Sequence, residues 1–353
     1  MIDCGHLERI EECTILTGPK LSSIELKQTK RTNLYRLIES RRIECILNRI
    51  FRKNQNRKLA IKKCLSEGHY SDVYLIRSEN ERKQNQKKYR ENFVIKIIDR
   101  NRCPKLSNCH NESRVCRFLQ NNPHPNLIEI LGVIEYGNFF VLLMNYGGSI
   151  DLMGFIKLFP EKRVPESIAN NLFYEQILRA INFLHTNNIV HRDIKPENIL
   201  VVLSSDSTIQ TKLIDFGFSK LIRSKGFATM SQALCSSQKG ILEYMAPELL
   251  QYCICYDAIK SDVYSLGTLF YWMLYGYAPF RLPNQSSRSF QNNLIQFRYL
   301  KSKPIRFGGE IFLTKFNKKL IQRMVNIEPQ LRPSTKEIIE KIQNRHLKST
   351  INL

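Results

Sequence analysis

The apolar residues of this chain change their spacing near Asp151, and that change limits the folds open to it. Before that point lie short apolar runs of strand length. They are Leu59-Ala60-Ile61, Val73-Tyr74-Leu75-Ile76, Phe93-Val94-Ile95-Lys96-Ile97-Ile98, Ile128 to Val133 and Phe139 to Met144. A helix over about 111–121 interrupts them, and the polar stretch Glu79 to Glu91 reads as a solvated hairpin loop. After Asp151 the period becomes helical. Ser167 to Thr186 carries Ile168, Leu172, Phe173, Ile177, Leu178, Ala180, Ile181 and Leu184, and further helices are expected at 260–275, 315–325 and 334–345. Strands first and helices after define an α+β class, with a small strand-rich lobe followed by a larger helical one.

The rest of the composition narrows the partners. Among 353 residues, 54 are Lys or Arg and 32 are Asp or Glu, a formal charge of +22. Such an excess favours anionic partners. The basic residues are nevertheless spread along the chain, without dense clusters interleaved with aromatics, which argues against nucleic acid as the main partner. No run reaches the 18 or so apolar residues of a membrane span. Val263 to Phe280 comes nearest and is broken by Ser265, Gly267 and Gly276. The start, Met1 to His6, lacks a secretory pattern, so an intracellular location is expected, cytoplasm and nucleus being indistinguishable. The ten cysteines, Cys103 and Cys109 included, are accordingly expected as reduced thiols. Residues 1–58 read as a basic, partly helical extension. Its segment Asn33 to Lys53 is amphipathic, and docking on its own domain is the default expectation.

The chemistry is concentrated in His191-Arg192-Asp193-Ile194-Lys195-Pro196-Glu197-Asn198, which follows a predicted helix and precedes the apolar run Ile199 to Leu203. Seventeen residues after Asn198 comes Asp215-Phe216-Gly217, and about thirty beyond that Ala246-Pro247-Glu248. Upstream, Lys96 stands in an apolar strand, where an ammonium needs an anion or a carboxylate. This ordered set resembles the eukaryotic protein kinase family, serine/threonine type, and is closest in motif style to calmodulin-dependent kinases. The resemblance covers about residues 59–347, with an N-lobe of about 59–144, a C-lobe of about 149–347 and a short tail, 348–353. It implies a bilobal protein-kinase-like fold: a small β-rich N-lobe with one helix and a large helical C-lobe. It also implies ATP and Mg²⁺ as cofactors, and protein substrates with Ser/Thr acceptors.

The resemblance assigns roles position by position. Asp193 would accept the proton of the substrate hydroxyl, and Lys195 would face the transferred phosphate. Asn198 and Asp215 would hold Mg²⁺ through oxygen, the ligand this hard ion prefers. Lys96 would hold the α- and β-phosphates with Glu112 as its partner. The phosphate-covering loop is Ser66-Glu67-Gly68-His69-Tyr70-Ser71-Asp72-Val73. Only Gly68 keeps a family glycine; Ser66 and Ser71 replace the outer two, and Val73 follows. Met144 would back the adenine pocket, the backbone of 145–147 would bond adenine, and Asp151 would reach the ribose. Asp262 would anchor the catalytic loop, and Arg332 would pair with Glu248.

Two further departures stand out. Gly240-Ile241-Leu242-Glu243-Tyr244 lacks the family threonine, whose hydroxyl bonds the catalytic Asp and Lys, and Asn145 replaces a common Glu. Lys195 favours Ser/Thr over Tyr acceptors, and Glu197 with Asp151 hints at an arginine upstream of the target. Regulation is expected through the activation segment, 215–248, with Ser236 or Ser237 as acceptor for an upstream kinase and Arg192 with Lys220 as the phosphate pocket. The alternative reading is a weak or inactive pseudokinase scaffold.

Overall fold

The computed structural model describes residues 57–68, 70–80, 90–103, 106–203, 208–222, 227–229, 241–251, 255–281, 290–308 and 313–351. The expected helix at 33–53 and the acceptor candidates Ser236 and Ser237 lie outside the described residues. The chain divides into two compact units, residues 1–61 with 78–89 and residues 62–77 with 90–353. Of the first, Arg57–Ile61 and Ser78–Asn80 are described, and both are strand. The candidate site lies in the second.

The strand-rich part begins with β1 (Arg57–Glu67), β2 (Ser71–Asn80) and β3 (Arg90–Asp99). Helix α1 (Leu106–Asn121) follows, then β4 (Ile130–Tyr136) and β5 (Phe139–Asn145). The sheet order is β1-β2-β3-β5-β4. In the antiparallel β3–β5 pair, Lys96 lies opposite Leu142. Side chains alternate along a strand, so Lys96 projects from one face while Ile95 and Ile97 fill the other. Helix α1 starts five residues before the expected 111, because its first turn, Leu106-Ser107-Asn108-Cys109, is polar and hides the helical period. The thiol expectation is corrected at one pair. Cys103 and Cys109 form a disulfide, their sulfurs 2.18 Å apart, because Cys109, in the first turn of α1, comes within bonding distance of Cys103. Cys116 keeps a free, buried thiol.

The helical part opens with β6 (Ile150–Asp151) and α2 (Leu152–Lys157). A continuous right-handed helical stretch then runs through α3 (Glu166–Asn170), a π-helical segment (Asn171–Ile177) and α4 (Leu178–Thr186). Short β7 (Ile189–Val190) leads to the hairpin β8 (Ile199–Leu203) and β9 (Ile209–Leu213), then β10 (Lys220–Leu221) and β11 (Phe227–Thr229). The remaining elements are α5 (Ile241–Tyr244), β12 (Cys255–Asp257), α6 (Ala258–Tyr275), α7 (Phe290–Lys301), α8 (Lys315–Met324) and α9 (Thr335–Ile351).

Helix α6 is the spine of this part. It is buried along almost its whole length, and Phe270 stacks on Phe173 with ring centroids 4.2 Å apart. Its start is capped by Asp257, which accepts from the Lys260 N–H at 3.0 Å. Its end is set by Gly276, whose φ of 76° is left-handed and costs glycine little. Among the described residues no helix is long and apolar enough to cross a membrane. Helix α7 escaped the sequence reading because its apolar residues are interleaved with Gln, Asn and Arg; only after folding do Leu294 and Phe297 turn inward.

Candidate active site

The loop between β7 and β8 is shaped by one buried carboxylate. Asp262, on α6, accepts the backbone N–H groups of His191 and Arg192, each at 2.8 Å, and lies 3.1 Å from Nε2 of His185. These bonds hold Arg192 at φ 68°, a left-handed conformation that a side chain disfavours. The loop then presents Asp193. Its Oδ2 accepts from Lys195 Nζ at 2.8 Å and from Asn198 Nδ2 at 2.8 Å. Asn198 Nδ2 also donates to the Asp193 carbonyl at 2.7 Å. One oxygen of Asp193 and the amide oxygen of Asn198 are left over from this arrangement.

A second cluster meets the first across the β8–β9 hairpin. Ile199 pairs with Leu213, and the Ile214 N–H donates to the Asn198 carbonyl at 2.9 Å, so Asn198 and Asp215 emerge side by side. Asp215, also left-handed at φ 62°, accepts through Oδ1 from Lys96 Nζ at 2.8 Å and from the Gly217 N–H at 3.1 Å. Lys96 in turn donates to Glu112 Oε1 at 2.7 Å. Thus β3, α1 and the segment after β9 each supply one member of an ion-paired triad. Lys96 and Glu112 are buried, while the Asp215 side chain is 40% exposed.

The electrostatics follow from that triad. Burial alone would lower the Lys96 ammonium, but the charges of Asp215 and Glu112 outweigh it and hold Lys96 well above the usual lysine range. Burial would raise Asp215, yet Lys96, the Gly217 N–H and His191 bring its carboxyl down to about 2.

Gly68 and Tyr70 lie between β1 and β2. The Gly68 N–H donates to the Ser71 carbonyl at 2.8 Å, and a side-chain carbon on Gly68 would stand 2.8 Å from that oxygen. Glycine is therefore required here for a close backbone approach. Ser66 and Val73 lie in β1 and β2 on either side. Met144, in β5, pairs with Val94 and Ile130 of the neighbouring strands. Asp151 caps α2, accepting from the Gly154 N–H at 2.6 Å. Among the described residues, no hydrogen bond ties Ser66, Ser71, Val73, Met144 or Asp151 to the cluster around Lys96 and Asp193.

The sequence matches the family described as protein kinase domain over residues 59–342, most of the chain. This chain belongs to the protein kinase family. It is 32% identical over 300 residues to the probable serine/threonine-protein kinase fhkD of Dictyostelium discoideum, covering 81% of this chain and 37% of that protein. It is 28% identical over 281 residues to CBL-interacting serine/threonine-protein kinase 15 of Arabidopsis thaliana, covering 79% and 59%. It is 29% identical over 294 residues to the human SNF-related serine/threonine-protein kinase, covering 82% and 34%. The kinase thus spans about a third to three fifths of the length of these relatives.

Three features of this kinase were not anticipated. Tyr70, two residues after Gly68, reaches into the cluster. A methyl carbon on Gly217 would stand 3.4 Å from Lys96 Nζ and 3.5 Å from the Tyr70 hydroxyl. Burial raises that hydroxyl's pKa, with Lys96 pulling it back. Arg102, just after β3, donates to the Gly68 carbonyl at 2.5 Å and to Asp72 Oδ2 at 3.1 Å, so a guanidinium braces Gly68 and Asp72. At Asn145 a carboxylate is still at hand, because the Asn145 amide donates to Glu129 Oε2. The support positions lie where they were expected. Arg332 donates to both oxygens of Glu248, at 2.7 and 2.8 Å, and to the carbonyls of Asn326, Lys260 and Ile327.

Proposed function

We propose that this kinase transfers the γ-phosphate of ATP to serine and threonine hydroxyls of proteins, with residues 59–347 as the catalytic domain and 1–58 as an extension to it. The observation that carries this reading is the state of Asp193. One of its oxygens is engaged by Lys195 and Asn198, and the other remains for the proton of an incoming hydroxyl. As the substrate oxygen bonds to the γ-phosphorus, its proton passes to Asp193 and the bond to the bridging oxygen of ADP breaks. Lys195 neutralises charge on the moving phosphoryl group, and Lys96, fixed by Glu112, neutralises the α- and β-phosphates. Serine or threonine acceptors fit a loop in which a lysine stands two residues after the base.

The residues present fit a hard divalent cation. Asn198 has given both amide N–H contacts to Asp193 and keeps its carbonyl oxygen, and Asp215 keeps Oδ2 beyond its bonds to Lys96 and Gly217. Mg²⁺ held by those oxygens would offset the charge of the phosphates. Ser66, Gly68, Ser71 and Val73 would cover the nucleotide, Met144 would back the adenine and Asp151 would meet the ribose. Regulation by phosphate on Ser236 or Ser237 is supported by Arg192 and Lys220. Lys220 is lowered first by burial and then by the neighbouring charge of Arg192, and an added anion would relieve that repulsion.

A peptide library with serine, threonine or tyrosine acceptors, labelled ATP and Mg²⁺ tests the whole reading. Serine and threonine peptides, those with an upstream arginine foremost, are expected to take up label, and chelation of Mg²⁺ to stop it. ATP binding without transfer to any acceptor would favour the scaffold reading instead.

A further inference from the structure

Helix α7 ends in a buried ammonium. Lys301 is 1% exposed, yet no carboxylate bonds it. Its Nζ donates to the carbonyls of Leu242 at 2.7 Å, Glu243 at 3.1 Å and Met245. An ammonium has three N–H donors, and here all three end on one turn of main chain, at α5 and its exit. The rings of Tyr264 and Phe297 lie 5.3 and 5.6 Å from Nζ and complete the site. Arg332, which grips Glu248, lies 5.0 Å from the same Tyr264 ring. Two buried cations therefore hold residues 242–248, one through the backbone and one through a carboxylate. That segment borders the catalytic loop, since Glu197 lies close enough to act on both Glu243 and Tyr244.

We propose that Lys301 is a positioning residue for the phosphate acceptor, fixing the backbone of 242–245 against the catalytic loop in place of the tie that Ile241, lacking a hydroxyl, does not provide. The inference rests on the protein-kinase reading above. Without Lys301 the polar holds left on this segment are the Ser265 hydroxyl, which donates to the Tyr244 carbonyl at 3.0 Å, and the Arg332–Glu248 pair, and neither reaches the carbonyls of Leu242, Glu243 or Met245. The anchor is also adjustable. Burial brings the Lys301 ammonium down to about 7, against the upward pull of Glu243 and Glu248 and with a downward push from Arg332. A neutral amine has two N–H donors, so deprotonation frees one of the three carbonyls and turns a lone pair toward it.

The test uses the full chain and a serine peptide without histidine, with peptide and ATP varied separately at about pH 6 and about pH 8.5. The wild-type KM for peptide is expected to rise about tenfold at the higher pH, with the KM for ATP unchanged. Lys301→Met should show the high peptide KM at both pH values, and its amides at 242–248 should exchange faster. A wild-type peptide KM indifferent to pH, or a Lys301→Met enzyme with wild-type peptide KM, would overturn the proposal. So would equal losses in peptide KM, ATP KM and kcat, which would mark a purely structural role. If Lys301→Met does not fold, Lys301→Gln, which keeps two N–H donors on a shorter stem, is compared with wild type at one pH, and an unchanged peptide KM with unchanged exchange at 242–248 would overturn the proposal. If the wild type transfers no phosphate at all, the kinase reading has failed, and exchange of 242–248 in wild type against Lys301→Met at one pH then judges the anchor by itself.

Discussion

Lys96 and Lys301 are both buried lysines, and they are held in opposite ways. Lys96 faces two carboxylates, Glu112 and Asp215, and is pushed well above the usual lysine range. Lys301 faces three neutral carbonyls and is pulled down to about 7. The difference fits the roles proposed for the two. A group that meets phosphates has to stay charged at every working pH, and ion pairing ensures it. A group that only shapes a backbone can be held by dipoles, at the cost of a charge that leaves within the physiological range. Each arrangement can be broken separately.

The largest effect is expected where a buried pair has no substitute. Arg332→Ala leaves Glu248 without its partner and strips three carbonyls of a donor. It should lower stability by about 3–5 kcal/mol, read from denaturant unfolding. Next comes Lys96→Met, which removes the charge aimed at the phosphates. Transfer should fall by about 10²–10³-fold while the protein still folds, as seen in kcat and in a retained melting transition. A variant that kept its activity would mean that Lys96 serves Glu112 only structurally. Ile241→Thr should act in the other direction. Restoring the threonine of the family pattern should raise the rate about two- to tenfold and should partly rescue Lys301→Met. Failure to rescue would separate the two anchors.

The pH dependence of stability tests both lysines at once, and its sign differs between them. Asp215 has a folded pKa of about 2, below its unfolded value, so its stabilisation is present above about pH 4 and is lost as pH falls toward about 2. Lys96 is raised, so its stabilisation is complete below about pH 10 and is lost only beyond. Lys301 is lowered, so the unfolded chain binds more protons above about pH 7 and the stability it contributes rises from there toward about pH 10. Unfolding midpoints across pH should therefore show an acid limb that Asp215→Asn removes and an alkaline rise that Lys301→Met removes.

What could be read in the sequence was what is local. His191 to Asn198 and Asp215 to Gly217 are contiguous motifs, and the β8–β9 hairpin between them does the work of joining them. Lys96 betrayed itself as a charge in an apolar strand. Lys301 gave no such signal, because Arg298-Tyr299-Leu300-Lys301-Ser302-Lys303 reads as one more basic stretch in a chain of 54 Lys and Arg. Its burial is decided by how α7 packs over α5 and α6, a matter of tertiary structure. Tyr70 was hidden in the same way, since the direction of its side chain depends on how the chain passes from β1 to β2. The disulfide was missed because the thiol expectation rested on the lack of a secretory pattern and on sparse cysteines, neither of which tells that Cys103 and Cys109 meet.

The central claim is that Asp193 receives the proton while Lys96 meets the α- and β-phosphates and Asp215, with Asn198, would hold the Mg²⁺ that offsets their charge. The most direct measurement is transfer of labelled γ-phosphate to a serine peptide by wild type and Asp193→Asn, with ATP binding measured in parallel. Wild-type transfer, a fall of about 10²–10⁴-fold in the variant and equal ATP binding in both are the predicted result. Equal transfer by the two proteins would contradict it.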